Sequence, residues 1–320
     1  MDSNDTSHRF PYSSDNKRYH TWSYHLKQTF GRKACKVPLS LGTTCPNRDG
    51  TVGSGGCTFC LGGGGGSLHS DAAAEMEAAY TQGLNLQRRK WPDAAGMPYF
   101  QSFTNTYIPN HRLRAALEAA SRLPDAVGIS IATRPDALPP DILDCLEEFA
   151  ACIYLVVELG LQTAHDATGR RLNRGHSFDA FLEGYRKLAD RNIQVCIHLI
   201  NGLPGEDADM MLETACQVAL LCPHSIKFHM LHLLEGTRLL EEYRQKPFPL
   251  FNREEYVDIL CSQIELLPPE TVVQRITGDP PRELLAAPEW TRNKLWVRNA
   301  LDKEFLRRDS FQGKLYHAPV

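Results

Sequence analysis

Residues 45–60 read CPNRDGTVGSGGCTFC. Cys45 is followed by eleven residues, Cys57, two residues and Cys60, on a loop with four glycines and one proline. Three thiolates this close in sequence can reach one inorganic centre, yet they leave a tetrahedral site one ligand short. An open position marks a catalytic metal centre, whereas structural zinc sites fill all four. Gly50, Gly53, Gly55 and Gly56 let the backbone wrap tightly and turn N–H groups toward sulfur. Phe59 can wall such a centre from water. A Cys-x2-Cys pair is also half of a zinc knuckle, which His69 or Cys35 would complete.

Outward from this loop the chain alternates. VPLSLGTTC (37–45) reads as a strand running into the cysteines, after an aromatic-rich helix within 19–36 that ends at Gly31. LGGGGGSLHS lacks the Lys-Ser/Thr of a phosphate loop and reads as a flexible connector. Helices are then expected at 71–90, 110–122, 140–150, 177–191, 207–221 and 253–266, with strands at 98–107, 126–135, 152–162, 193–205 and 225–237. Short apolar runs separated by helically spaced segments indicate parallel strands with crossover helices. The fold class is therefore α/β, a partial TIM barrel of six βα units, with a further strand expected at 271–278. Three parts follow: a flexible leader at 1–18, a barrel at 19–278, and a C-terminal helical extension at 279–320 packed on it by Trp290 and Trp296.

In such barrels chemistry sits at the C-terminal ends of strands. The polar oddities fall there: Cys45, Thr104-Asn105-Thr106, Thr133-Arg134, Glu158, Asn201-Gly202 and Gly236-Thr237. Six strands ending this way describe the rim of one cavity.

Bulk properties exclude several classes. A net charge of −3 and a pI near 6.5 give no global basic field, although 1–44 carries seven Lys/Arg against three acids and 282–320 eight against five. The first residues are polar without an apolar core, so no signal peptide is expected, and no apolar run is long enough to span a membrane. Ten cysteines without regular pairing suggest reduced thiols and a cytoplasmic protein.

CPNRDGT…GGCTFC, together with FQSFTNTY, GISIATRPD, VELGLQT, LNRGH, HLINGLPGE and QRITGD, resembles the radical S-adenosylmethionine (SAM) enzymes. Within them it looks like the bacterial subfamily typified by YhcC and YtqA, over roughly residues 19–310. That subfamily is similar in turn to the catalytic core of the elongator subunit that modifies wobble uridine. The eleven-then-two cysteine spacing fits the subfamily and departs from the three-then-two spacing commonest in the superfamily.

The resemblance implies that Cys45, Cys57 and Cys60 hold a [4Fe–4S] cluster whose fourth iron chelates SAM. One electron, from a reductant such as flavodoxin or ferredoxin, would release a 5′-deoxyadenosyl radical. It implies SAM contacts too. Thr104 or Asn105 stand where the usual GGE segment is absent. Glu158, a carboxylate in an apolar run, is expected to face the cavity and meet the ribose or amino group rather than a buried ion-pair partner. Arg174 and His176 suit the carboxylate, Asn201 and Gly202 the adenine, and Thr133 and Arg134 ribose or substrate. His198, His229, His232 and Arg275 are candidates for substrate contact; no residue is assigned a catalytic role.

The implied substrate is tRNA, with Trp22, Tyr24, Trp290 and Trp296 near the basic ends available for stacking. Radical chemistry on a small metabolite or peptide is the second reading, and a non-catalytic zinc-binding interaction protein the third. The other seven cysteines form no Cys-x2-Cys pair, so a second cluster is not expected.

Overall fold

The computed structural model describes residues 10, 12, 17–62, 68–69 and 73–318. Helix α1 (Trp22–Phe30) is capped by Thr21, whose hydroxyl accepts the Tyr24 N–H at 3.2 Å, and ends at Gly31 in the left-handed region. Strands β1 (Ala34–Ser40) and β2 (Leu68–His69) follow, then α2 (Ala73–Arg88). The repeat continues with β3 (Ala95–Phe100), α3 (Asn110–Ser121), β4 (Ile129–Thr133), α4 (Pro140–Ala150) and β5 (Leu155–Gln162). Next come α5 (Asp166–Arg171), α6 (Phe178–Ala189), β6 (Gln194–Asn201), α7 (Ala208–Ala219) and β7 (Ser225–Met230). The chain closes with β8 (Leu233–Leu234), α8 (Arg238–Gln245), α9 (Arg253–Glu265), β9 (Val272–Arg275), β10 (Leu285–Ala287) and α10 (Lys294–Arg307).

The main sheet has the order β2-β1-β3-β4-β5-β6-β7-β9 with every pairing parallel, so the six expected units line up and β9 extends them. It curls into a half-barrel. Lys36 on β1 reaches Glu158 on β5 and, at 2.7 Å, Gln274 on β9, which spans the interior between strands far apart in the sheet.

Strand alternation sets what faces inward. Val157 and Leu159, Ile197 and Leu199, and Ile226 and Phe228 join the apolar layer under the helices. The residues between them, Glu158, His198 and Lys227, share the inner face with His229. His198 and Lys227 are direct register partners, and Glu158 lies two register positions earlier, opposite Cys196.

Several boundaries differ from expectation. The strand expected at 98–107 is β3, which ends before Ser102 and Phe103; their φ of 70° and 59° cannot continue a strand. The run 225–237 divides into β7 and the short β8, which pairs antiparallel with β10. Helices α5 and α8, of six and eight residues, add to the elements expected from the sequence. Most of the glycine connector lies outside the described residues, as does the side chain of His69.

The C-terminal segment packs through Trp290, whose indole N–H donates to the Phe251 carbonyl at 2.8 Å, and through the buried Val297, Leu301 and Phe305. Trp296 does not: it is 54% exposed, because α10 buries the face carrying those three residues instead. A loose leader is also not what the described leader residues show. Phe10 is buried with its ring 5.6 Å from that of Phe311, and the Tyr12 hydroxyl donates to the Gln312 carbonyl at 3.4 Å.

Gly184 on α6 lets that helix sit against the loop after β4, where an added Cβ would come within 2.5 Å of the Pro135 carbonyl oxygen. Gly184→Ala is expected to destabilise the fold by about 1–3 kcal/mol through overpacking, read as a lowered urea midpoint at unchanged slope.

Candidate active site

One cavity at the C-terminal ends of the strands gathers the cysteine loop. Cys45, Cys57 and Cys60 line it opposite Thr104, Thr133, Glu158 and Arg174. All three cysteines are free thiols, with Cys45 and Cys57 buried and Cys60 half-buried.

The loop is held from two sides. The segment after α5 grips it first. The Thr58 N–H donates to the Leu172 carbonyl (2.9 Å), and Asn173 Nδ2 donates to the carbonyls of Ser54 (3.1 Å) and Gly56 (2.8 Å). Arg174 Nη1 donates to Cys57 Sγ at 3.2 Å. From α8, the Leu239 N–H donates to the Thr58 carbonyl at 2.9 Å and Arg238 donates to that of Gly56. At the centre lies Asn47, fully buried, whose Nδ2 donates to the Asn173 carbonyl at 2.5 Å and stands 3.7 Å from Cys57 Sγ. Gly175 is needed beside it: its φ is 74°, and a Cβ there would come within 2.7 Å of Asn47 Oδ1.

The thiols sit in a cationic setting. The hydrogen bond from Cys60 holds Cys57 well below the ordinary thiol range against the burial that opposes it, and Arg174 and Arg134 assist. The same bond, with burial, pushes Cys60 up, so the pair shares one proton. Arg134 is fixed in turn: it forks onto Asp136 at 2.8 and 2.7 Å and donates to the Arg174 carbonyl at 2.7 Å.

Three buried polar atoms lining this cavity have no hydrogen-bond partner among the described residues: Thr104 Oγ1, Gln162 Oε1 and Arg174 Nε. Gln162 also holds a φ of 73°, the left-handed region that side chains avoid. Orphaned donors and acceptors on one wall, facing a thiol at Cys57 that ionises readily, are the chemistry of a thiolate-held group with a polar ligand beside it. Among the described residues no three His, Cys, Asp or Glu side chains are gathered tightly enough for a single metal ion; a cluster takes one thiolate per iron.

Glu158 does line the cavity, but its carboxylate is paired, contrary to the sequence expectation. Lys36 and Lys227 both bond to it, and His198 Nε2 donates at 2.8 Å. Burial pushes the Glu158 carboxyl up, yet Lys227 and Lys36 outweigh it and hold the group well below the usual carboxylate range. Burial brings Lys227 down to about 8 against the pull of Glu158. Burial, with Lys227 beside it, brings His198 down to about 4, so the ring is neutral at neutral pH. The reason is strand parity: lysines on β1 and β7 point to the same interior as Glu158, where an unpaired charge would be costly.

The other expected contacts divide. Thr133 lines the cavity, with its hydroxyl 2.5 Å from that of Thr106. Arg174 also lines it, but its guanidinium is engaged with Cys57, the Gly160 carbonyl (2.8 Å) and His176 (3.0 Å), leaving only Nε free. Asn105 is not brought to the lining. Its amide donates to the carbonyls of Phe100, Ser102 and Ala132 at 3.3, 3.2 and 2.9 Å and so stabilises the left-handed turn after β3. Asn201 pairs with Gln263 in a reciprocal amide contact (2.7 and 3.0 Å) behind the sheet, and Gly202 packs against Phe251. His229 and His232 each bury an Nε2 with no partner among the described residues, and Arg275 faces a separate cleft. Sequence reasoning missed Asn47, Gln162, Asn173, Lys36 and Lys227; a lysine inside each of the strands ACKVPLS and SIKFHM was the available signal for the last two.

Residues 43–216 match the family model for the Radical SAM superfamily. The chain belongs to the radical SAM superfamily. Residues 223–307 match the Radical_SAM C-terminal domain, so the radical SAM assignment extends past β7 to the last helix. Over 307 residues the chain is 48% identical to YtqA of Bacillus subtilis (strain 168), covering 96% of this chain and 95% of that one. It is 25% identical over 184 residues to the tRNA uridine(34) acetyltransferase of Methanocaldococcus infernus, covering 55% of this chain and 34% of that one. Among solved structures, the archaeal Elp3 of the same organism superposes with a TM-score of 0.62 at 17% identity, over 86% of this chain and 65% of that one, a likeness of fold. This radical SAM protein is thus an enzyme built on a half-barrel, and no helix among its described residues is long and apolar enough to cross a membrane.

Two outcomes follow from the geometry. Glu158→Gln, which leaves two buried lysines facing a neutral amide, should lose about 3–5 kcal/mol of stability in urea titrations, and adding Lys227→Met should recover part of it. Equal stability of wild type and Glu158→Gln would show the pairing to be inconsequential. Asn47→Ala, which loosens the loop without removing a thiol, should reduce iron retained against a chelator by about 10–100-fold after anaerobic reconstitution.

Proposed function

We propose that this chain holds a [4Fe–4S] cluster on Cys45, Cys57 and Cys60, cleaves SAM reductively, and acts on RNA at a tRNA wobble uridine. The observation behind the first part is the readily ionised Cys57, flanked by Arg174 and by the orphaned polar atoms of Thr104 and Gln162, all on one cavity. When bound, the cluster and SAM supply one-electron cleavage to methionine and a 5′-deoxyadenosyl radical. The chain's part is orientation and exclusion of water. Arg174 and Asn47 fix the Cys57 sulfur, Phe59 and Phe103 wall the loop side, and Arg174 Nε with Thr104 Oγ1 remains to meet the polar end of SAM. Glu158, locked between lysines, orients His198 toward the cavity instead of binding an ammonium group itself. The RNA half of the proposal is supported by similarity to a tRNA uridine(34) acetyltransferase over 184 residues.

The test is anaerobic reconstitution with iron and sulfide, addition of dithionite or a flavodoxin-type donor and SAM, and quantification of 5′-deoxyadenosine. Wild type should form it, while Cys57→Ala and Cys60→Ala should form none; a cysteine variant with full activity sinks the assignment. Adding bulk tRNA should raise the yield and leave a modified uridine at position 34. Activity with no change in tRNA would point to a small metabolite or peptide.

A further inference from the structure

Between β9 and the start of β1 lies a cleft of about 450 Å³ that the cysteine site does not use. Four cations line it, Lys17, Lys33, Arg275 and Arg298, and none of its lining residues is acidic. Arg298 is exposed and has no ion-pair partner among the described residues. Lys33 has no carboxylate either; its ammonium lies 3.3 Å from Ser23 Oγ and 4.6 Å from the Trp91 ring centre. Lys17 is paired with Asp302 and Arg275 loosely with Asp279 at 3.9 Å, which leaves Lys33 and Arg298 as the lining cations with no carboxylate partner among the described residues. The first turn of the nine-residue α1 opens into the same cleft and adds a positive helix end. Half-buried Trp22 supplies an aromatic wall.

The cleft adjoins the interior of the barrel. Lys36 donates to Gln274, which lines the cleft, at 2.7 Å, lies 5.0 Å from the Trp22 ring centre, and is bonded to Glu158, which lines the thiol cavity. Lys36 thus bridges one lining residue of each space.

We infer that this seam is a docking groove for the sugar–phosphate backbone of single-stranded RNA, with Trp22 offering a stacking face. The inference rests on the RNA reading above. Cations drawn from four separate segments of chain, with no acids among them, suit a repeating polyanion, and an aromatic within such a groove suits unpaired bases. Lys36, bonded to Gln274 and to Glu158, links this cleft at the strand starts to the barrel interior.

The experiment uses the full chain and fluorescein-labelled single-stranded RNA, with anisotropy titrations across a salt series. Wild type should bind with steep salt dependence. Arg298→Glu, at an exposed position where folding is not at stake, should weaken binding roughly 10-fold at low salt and lower the slope of log affinity against log salt by about one. Lys33→Glu should behave alike. Lys246→Glu, the same charge change at the exposed residue just after α8, should bind as wild type. If wild type binds steeply and both cleft variants match it, the groove is refuted while the RNA reading stands. An equal loss in Lys246→Glu would reduce the effect to net charge and refute it too. Failure of wild type to bind RNA would remove both.

Discussion

A carboxylate with almost no access to water, held between two lysines, is the constraint on which this half-barrel depends. Each partner alone would be an expensive buried charge; together they are compensated, and removing one exposes the others. The lysines come from β1 and β7 and the carboxylate from β5, so electrostatics joins strands that share no backbone hydrogen bonds. Lys36 carries the link on to β9. Two ammonium groups against one carboxylate also leave the interior positively biased, and Arg134 and Arg174 add to this at the rim. The two arginines favour the thiolate at Cys57.

The cysteine loop has little regular structure of its own and takes its shape from its neighbours. Asn47 donates to the Asn173 carbonyl and the Asn173 amide to those of Ser54 and Gly56, docking the loop, and Gly175 is small where a side chain would strike Asn47. The Cys57 sulfur is therefore fixed by a segment more than a hundred residues away in the chain.

Much of this was legible in the sequence. The alternation of short apolar runs with helical segments located the seven sheet strands that matter, because a parallel sheet covered by helices leaves a periodic signature. The cysteine spacing located the site for a chemical reason, since three nearby thiols have few other uses. What the sequence hid was pairing. Glu158 read as a carboxylate in search of a ligand because its lysines lie 122 and 69 residues away, and only strand parity brings them together. Asn105 and Asn201 read as cavity residues because both end strands, yet one supports a left-handed turn and the other an amide pair behind the sheet. Trp296 read as buried from its chemistry alone, whereas which face α10 covers is decided by Val297, Leu301 and Phe305.

The grip of α8 on the cysteine loop bears on how the protein comes into being. Arg238 reaches back across 182 residues to the Gly56 carbonyl, and Leu239 closes on Thr58 beside it. A nascent chain that has delivered all three cysteines still lacks both clamps until α8 has left the ribosome and docked. The final arrangement of the thiols is therefore a late event, following assembly of the barrel, and a truncated product would present them without the frame that arranges them.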